Sequence, residues 1–332
     1  MPKALITGTG SYLPPKVVTN FDLEKIMDTS DEWIRQRAGI AQRHFVEAGV
    51  GTSELAYQAA LRAIEDAGID KSEIEFIIAA TLSPDYYFPG IGVLVQEKLG
   101  LAPTGALDIR NQCSGFIYGL SVADQYIRAG TFKKILLVAA EIQSTGLNFS
   151  DEGRDLAVLF GDGAAAVIIE RNDDEDGRGI LSTHVFADGR FATDLWMEKP
   201  SPKDKPIFFP AIREHSGIYP RMNGKLVFKN ATEKMPEAVR IALETNNLTI
   251  DDVDHLIPHQ ANDRISLMVA RNLKIPVEKV VRNIDRCGNT TAASIPIALD
   301  EAIKEQRIKR DDIVVLTAFG SGFTWASTVI RW

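Results

Sequence analysis

Apolar residues along this chain fall into two rhythms. The first is the unbroken run: Phe76-Ile77-Ile78-Ala79-Ala80, Ile135-Leu136-Leu137-Val138-Ala139, Ile313-Val314-Val315-Leu316-Thr317 and the shorter His255-Leu256-Ile257-Pro258. Runs of this kind, without polar alternation, predict strands covered on both faces. The second rhythm is helical. From Ser114 to Ala129 apolar residues recur at 116, 120, 123 and 127, and Gly130 supplies a stop. Leu61 to Ile69, Ile241 to Thr245 and Leu299 to Gln306 read the same way. Strands alternating with helices predict βαβ units and an α/β fold with helices covering the sheets.

The same order of elements occurs twice. The helix ending near Ile69 leads through Asp70 and Ile74 into Phe76–Ala80. The helix around Ile241–Thr245 leads through Leu248-Thr249-Ile250-Asp251-Asp252-Val253 into His255–Pro258. Each of these strands is followed by an amphipathic helix and then a long apolar strand. The pattern predicts a duplicated chain, with halves 1–171 and 172–332 joined at the acidic turn Asn172-Asp173-Asp174-Glu175-Asp176-Gly177.

Composition acts mostly by exclusion. At 332 residues, 45% hydrophobic and 25% charged, the chain is ordinary for a globular protein with a large core. A net charge of −8 argues against nonspecific nucleic-acid binding, and an acidic partner needs a local basic patch. Two cysteines, Cys113 and Cys287, argue against a disulfide scaffold and fit a reducing compartment. No paired Cys/His spacing suggests a metal site. The opening Met1-Pro2-Lys3-Ala4-Leu5-Ile6 lacks a basic-then-apolar signal, and no apolar run approaches the roughly 20 residues of a membrane helix. A soluble, cytoplasmic chain with no membrane partner is therefore expected. Gly8-Thr9-Gly10 has Leu13 where a dinucleotide fingerprint needs its third glycine, and no P-loop occurs.

Three residues carry candidate chemistry. Cys113 follows the strand-like Ala106-Leu107-Asp108-Ile109-Arg110 and opens a helix-like run. Helix-start N–H groups and the positive dipole end lower a thiol pKa and can hold an oxyanion on a bound substrate. The competing reading is an inert, buried cysteine. His259 ends the strand-like His255–Pro258, and catalytic groups gather at such carboxyl ends. Beyond it, Asn262 or Asp263 can cap a helix carrying Ile265, Met268, Val269 and Leu273. Asn289 sits in Arg286-Cys287-Gly288-Asn289-Thr290-Thr291-Ala292-Ala293-Ser294, where small residues allow close approach. Its amide is a donor that cannot be lost to deprotonation, although simple turn chemistry is an alternative role. Phe319-Gly320-Ser321-Gly322-Phe323 follows a strand and exposes backbone N–H groups.

Together these stretches resemble the β-ketoacyl-acyl carrier protein synthase III family. The resemblance rests on Asn111-Gln112-Cys113-Ser114-Gly115-Phe116, Ile257-Pro258-His259-Gln260-Ala261-Asn262-Asp263-Arg264, Gly288-Asn289-Thr290-Thr291-Ala292-Ala293-Ser294-Ile295-Pro296 and Phe319-Gly320-Ser321-Gly322-Phe323-Thr324-Trp325. Thr29-Ser30-Asp31-Glu32-Trp33-Ile34, Arg37-Ala38-Gly39-Ile40, Phe160-Gly161-Asp162-Gly163 and Ala187-Asp188-Gly189 agree, in family order. The resemblance implies a thiolase-type fold, with duplicated βαβ halves forming a layered α/β/α/β/α core, and a homodimer. It implies catalytic Cys113, His259 and Asn289, and an oxyanion hole from the N–H groups of Cys113 and Ser321. Trp33, Arg37 and Arg154 match residues at coenzyme A, and Phe88 one that reaches across the dimer to the acyl pocket. Lys229, Arg264 and Arg271 match a basic face that meets acyl carrier protein. The implied reaction is a decarboxylating Claisen condensation of an acyl-CoA primer with malonyl-acyl carrier protein, initiating fatty acid synthesis. Both thioesters are substrates, and no cofactor or metal is implied.

Departures from the family pattern concern the substrate. Gln112 stands where a small residue is common, Cys287 where Tyr or His is usual, and Ala38 where Thr is common. The segment from Arg190 to Asn223 is long, with Phe191, Trp196, Phe208, Phe209 and Tyr219 among five prolines. Its aromatics and prolines predict a segment folded back on the protein at the pocket mouth rather than a free loop. The alternatives are a ketosynthase or acyltransferase of secondary metabolism acting on longer or unusual acyl thioesters, and a catalytically dead binding subunit.

Overall fold

Both faces of the long apolar runs are covered, and alternation along each run shows by what. The computed structural model describes residues 2–174 and 176–332; Glu175, in the expected acidic turn, lies outside them. Strands β1 (Lys3–Tyr12), β2 (Phe76–Ala80), β3 (Gly105–Ile109), β4 (Lys134–Glu141) and β5 (Gly163–Asn172) form a sheet in the order β1-β5-β4-β2-β3. Strand β2 runs parallel to β3 and β4, and β5 runs antiparallel to β1 and β4. The second sheet holds β6 (Gly179–Ala187), β7 (His255–Pro258), β8 (Ile313–Gly320) and β9 (Thr324–Arg331) in the order β7-β8-β9-β6. Here too the edge pair is parallel and the last strand returns antiparallel beside the first. A parallel bridge between Leu256 and Val280 stands where β3 stands in the first sheet.

Seven helices position the site: α1 (Asp31–Ala38), α2 (Thr52–Ala67), α3 (Ile91–Leu99), α4 (Gly115–Arg128), α5 (Gly224–Thr245), α6 (Asp263–Leu273) and α7 (Ser294–Lys304). Ile77, Ala79, Leu136 and Val138 pack outward against α2 and α3. Their neighbours Ile78, Ala80, Ile135 and Leu137 pack inward with Phe116, Leu120, Ile295 and Leu299 of α4 and α7, which also meet Ile257, Val314 and Leu316. Leu256, Val315 and Val329 face α5 and α6. The layers are therefore α/β/α/β/α, with α4 and α7 in the middle. Each large apolar side chain sealed there contributes roughly 1.5–3 kcal/mol.

Gly8 and Gly10 have a packing role. A Cβ on Gly8 would lie 2.5 Å from Ala63 O, and one on Gly10 2.4 Å from Ala63 N, so their absence lets α2 lie directly on β1. The segment after β6 folds into short 3-10 turns (Gly189–Phe191, Ile212–Glu214, Ser216–Ile218) and a ribbon pairing Leu195–Trp196 with Arg221–Met222. Phe191 stacks on Phe323 at 5.0 Å. The expected burial of the aromatics is incomplete, because Phe208 remains 61% exposed. Among the described residues no helix is long and apolar enough to cross a membrane.

Candidate active site

The chain reaches Cys113 through a tight turn. Strand β3 ends at Ile109, Gln112 adopts a left-handed φ of 45°, and a 3-10 turn, Gln112–Ser114, precedes α4. Gly115 fits against the neighbouring turn because a Cβ there would stand 3.2 Å from Ala80 Cβ and 3.4 Å from Ala292 Cβ. Gly320, at the end of β8, passes so close that its Cβ would lie 3.0 Å from Cys113 Cβ and 3.1 Å from Cys113 N. Cys113 is thus pressed between the two sheets' strand ends. The expected lowering of its thiol pKa is overturned. Burial, and then the charge of Glu141, push it up to about 12, opposed by a backbone N–H. The sequence shows a helix start but not the desolvation that outweighs it.

His259, 2% exposed, follows β7, with its backbone N–H donating to Thr317 O at 2.8 Å. Its Nδ1 lies 2.6 Å from Ser294 Oγ, which also accepts the Gln260 N–H at 3.3 Å. We assign the Ser294 proton to His259 Nδ1, which makes Nε2 the proton-bearing nitrogen. Burial pushes the imidazole down to about 3, so it is neutral and a donor at neutral pH. Asn289 is fixed in the same manner. Its N–H donates to Leu159 O at 2.8 Å, its carbonyl accepts from Gly161 N at 3.1 Å, and its Oδ1 accepts from Thr291 N at 2.8 Å. Its Nδ2 amide has no acceptor among the described residues.

These three residues line one cavity of about 110 Å³, together with Phe160, Phe228, Met235, Phe319 and Gly320. Leu195 and Met222, from the ribbon of the long segment, line it as well. Ser321 is outside the lining; its hydroxyl donates to Leu195 O, and its backbone N–H has no acceptor among the described residues. Asn262 is the cap of α6, accepting from Arg264 N at 2.9 Å, and its Nδ2 donates to Arg37 O at 2.9 Å. That bond joins the cavity wall to a cationic-aromatic cluster. Arg37 lies 4.5 Å and Arg154 5.3 Å from the Trp33 ring centre, and Arg154 pairs with Asp28 at 3.0 Å. Lys229 on α5 and Arg264 and Arg271 on α6 are exposed on two helices packed together, with Arg264 5.8 Å from the Phe228 ring. Phe88 is not in the cavity of its own chain and is 81% exposed beside exposed Tyr86 and Tyr87. Cys287 is an inert packing residue, 2% exposed, with its thiol pushed up by burial.

Sequence reasoning missed Glu141 and the role of Ser294. Glu141 is fully buried at the end of β4. A lone acid closing the apolar run Ile135–Ala140 was the available signal. Ser294 is visible only as one more small residue until His259 folds onto it.

Comparison with known proteins agrees with this arrangement. The family models for 3-Oxoacyl-[acyl-carrier-protein (ACP)] synthase III and its C-terminal part match residues 107–189 and 243–332. A β-ketoacyl-[acyl-carrier-protein] synthase III of Xanthomonas campestris pv. campestris is 46% identical over 98% of both chains. This chain belongs to the 3-oxoacyl-[acyl-carrier-protein] synthase III family. The structure of the synthase III from Aquifex aeolicus VF5 superposes with a TM-score of 0.90 at 42% identity, covering 99% of this chain and 100% of that one. The priming β-ketosynthase from the R1128 polyketide biosynthetic pathway is 30% identical with a TM-score of 0.90, covering 99% and 96%. The family's thiolase-type fold is thus the fold of this chain.

Proposed function

We propose that this enzyme condenses an acyl-CoA primer with malonyl-acyl carrier protein, in keeping with its family, and starts fatty acid synthesis. The observation that carries the reading is the shared cavity. Cys113 faces two buried side chains whose acceptor atoms are already occupied, leaving His259 Nε2–H and Asn289 Nδ2–H as donors. In the first half-reaction the Cys113 sulfur attacks the acyl-CoA carbonyl. The new C–S bond replaces the bond to CoA, and the thiol proton leaves with the CoA sulfur. The backbone N–H groups of Cys113 and Ser321 hold the transient oxyanion. In the second, the malonyl C–C bond breaks and carbon dioxide leaves. The enolate oxygen takes hydrogen bonds from His259 and Asn289, each worth roughly 3–4 kcal/mol in the transition state. The enolate carbon attacks the acyl-Cys113 carbonyl, the C–S bond breaks, and the freed sulfur regains a proton from water.

Trp33, Arg37 and Arg154 suit the adenine ring and phosphates of CoA, through stacking and charge. Lys229, Arg264 and Arg271 supply the positive face that an acidic carrier needs on a protein of net charge −8. The exposed aromatics at 86–88 suit a homodimer in which Phe88 enters the partner's acyl pocket. Halves 1–171 and 172–332 are read as two copies of one unit, on the matching strand orders. Cys113 must stay a free thiol, which suits the cytoplasm. A cavity of about 110 Å³, small beside drug-sized sites of roughly 300 Å³ and more, favours a short primer over the union of two long chains.

The test is acyl-enzyme mass spectrometry across a panel of acyl-CoAs, with Cys113→Ser beside the wild type. Short acyl groups should appear on the Cys113 peptide and vanish in the variant. A Cys113→Ser enzyme that still condenses at the wild-type rate would remove this nucleophile.

A further inference from the structure

One fully buried acid lies between the two catalytic turns and takes no part in the reaction above. The Glu141 carboxylate accepts from Ser83 Oγ at 2.7 Å, Leu82 N at 3.2 Å and Thr81 Oγ1 at 3.4 Å, all in the segment that follows β2. Gln143 Nε2 adds a contact at 3.3 Å. The same segment is tied to the strand leading to Cys113, because Thr81 N donates to Ile109 O at 3.2 Å. It is tied back to β4 by Ile142 N, which donates to Ser83 Oγ at 2.9 Å. From the 3-10 turn before α7, Thr291 presents its buried hydroxyl to the carboxyl without reaching hydrogen-bond geometry. Thr291 is also the residue whose N–H fixes Asn289 Oδ1.

We propose that Glu141 is a positioning residue for condensation: its carboxyl clamps the strand ends beneath Cys113, braces the Asn289 turn by packing against Thr291, and sets a negative charge beside the cysteine. This deepens the proposed function and rests on it. The groups that face the carboxyl are Thr81, Leu82 and Ser83 after β2, Gln143 after β4, Thr291 beside Asn289, and Cys113; among them Cys113 is the titratable one. Burial raises Glu141 to about 7, opposed by the Ser83 and Thr291 hydroxyls and the Leu82 N–H. The clamp therefore changes charge near neutrality. Above that pH an ionised Glu141 resists a second negative charge on the Cys113 sulfur. Below it the neutral acid gives up that opposition but still holds the turns.

The experiment follows Cys113 labelling by iodoacetamide as a function of pH, read on the Cys113 peptide by mass spectrometry. Wild type, Glu141→Gln and Ser83→Ala are compared. Glu141→Gln keeps the shape and removes the charge, so labelling above about pH 8 should be about tenfold faster, as for a thiol pKa lower by about one unit. Ser83→Ala, which removes the 2.7 Å donor and disfavours the ionised acid, should speed labelling by less and only near neutral pH, where Glu141 changes charge. Malonyl decarboxylation should lose kcat more than KM in Glu141→Ala, where the brace on Thr291 is gone. Folded Glu141→Gln and Ser83→Ala proteins with the wild-type labelling profile overturn the proposal. That outcome is distinct from failure of the condensation reading, which shows as wild-type enzyme that never forms an acyl-Cys113 adduct.

Discussion

Gln112 and Thr291 share one left-handed backbone conformation, with φ of 45° and 47°, each heading a 3-10 turn that runs into a central helix. The turns touch where Gly115 meets Ala292. One carries Cys113, the proposed nucleophile, and the other follows Asn289, a proposed donor. A left-handed non-glycine residue costs roughly 1–2 kcal/mol. Gln112→Gly should therefore be neutral or stabilising by up to about 1 kcal/mol, and Gln112→Val should be destabilising by at least about 1 kcal/mol. Urea unfolding midpoints decide this, and a valine variant as stable as wild type would place no strain at the turn.

His259→Ala and Asn289→Ala should each slow malonyl decarboxylation about 10²–10³-fold, while acyl transfer onto Cys113 changes far less. The separation follows from the two donor sets: side chains for the enolate, backbone N–H groups for the acyl oxyanion. Stopped-flow acylation and carbon dioxide release measure the halves separately. Equal losses in both would merge the two oxyanion sites into one.

The buried imidazole also predicts an acid limb in stability. His259 is pushed from its ordinary value near 6.5 down to about 3 in the fold. The unfolded chain therefore binds the proton first, and stability falls as pH drops below about 6.5 toward 3, by at most roughly 1.4 kcal/mol per unit from this group. His259→Gln should flatten that limb by one proton, measured as the pH dependence of the unfolding free energy. An unchanged slope would contradict a neutral His259.

Arg264→Glu should weaken use of carrier-bound malonyl groups at low salt and leave acyl-CoA loading unchanged. The residue is exposed beside Phe228, itself a cavity-lining residue, and charge on such a surface acts on encounter and is screened by ions. Carrier-protein kinetics at two ionic strengths test this. Equal kinetics for variant and wild type at low salt would take Arg264 off the docking face.

Trp196 pairs with Arg221 across the ribbon, so an Asn-Gly turn can close it in place of residues 197–220. Loading of Cys113 should survive this deletion, but its chain-length profile should shift, because Leu195 and Met222 lose the segment that braces them against the cavity. Acyl-enzyme mass spectrometry compares the profiles. An unaltered profile would reduce the segment to surface ornament.

Much of this was legible in the sequence because it is local. The strands Phe76–Ala80 and His255–Pro258 stand at the bounds their apolar runs predict, since each run is bracketed by polar residues. Cys113, His259 and Asn289 were visible as chemistry-bearing residues after strands or in glycine turns, and the fold brings them to one cavity. What needed three dimensions was burial. The thiol's environment is set by Gly320 and Glu141, respectively 207 and 28 positions away along the chain. Their effect on Cys113 leaves no periodic trace. The counterpart of β3 in the second sheet is a single bridge from Leu256 to Val280, with Val281 N donating to Leu256 O at 2.9 Å, too short a pairing to leave an apolar run in the sequence. Phe88, 81% exposed, lies outside the cavity beside which the family resemblance places it.

Cys113 lies in the first half of the chain, yet one wall of its chamber is Gly320 at the end of β8, in the second half. Neither half expressed by itself encloses the thiol. Two separately made halves should therefore load an acyl group only after they have associated, so acylation reports their reunion.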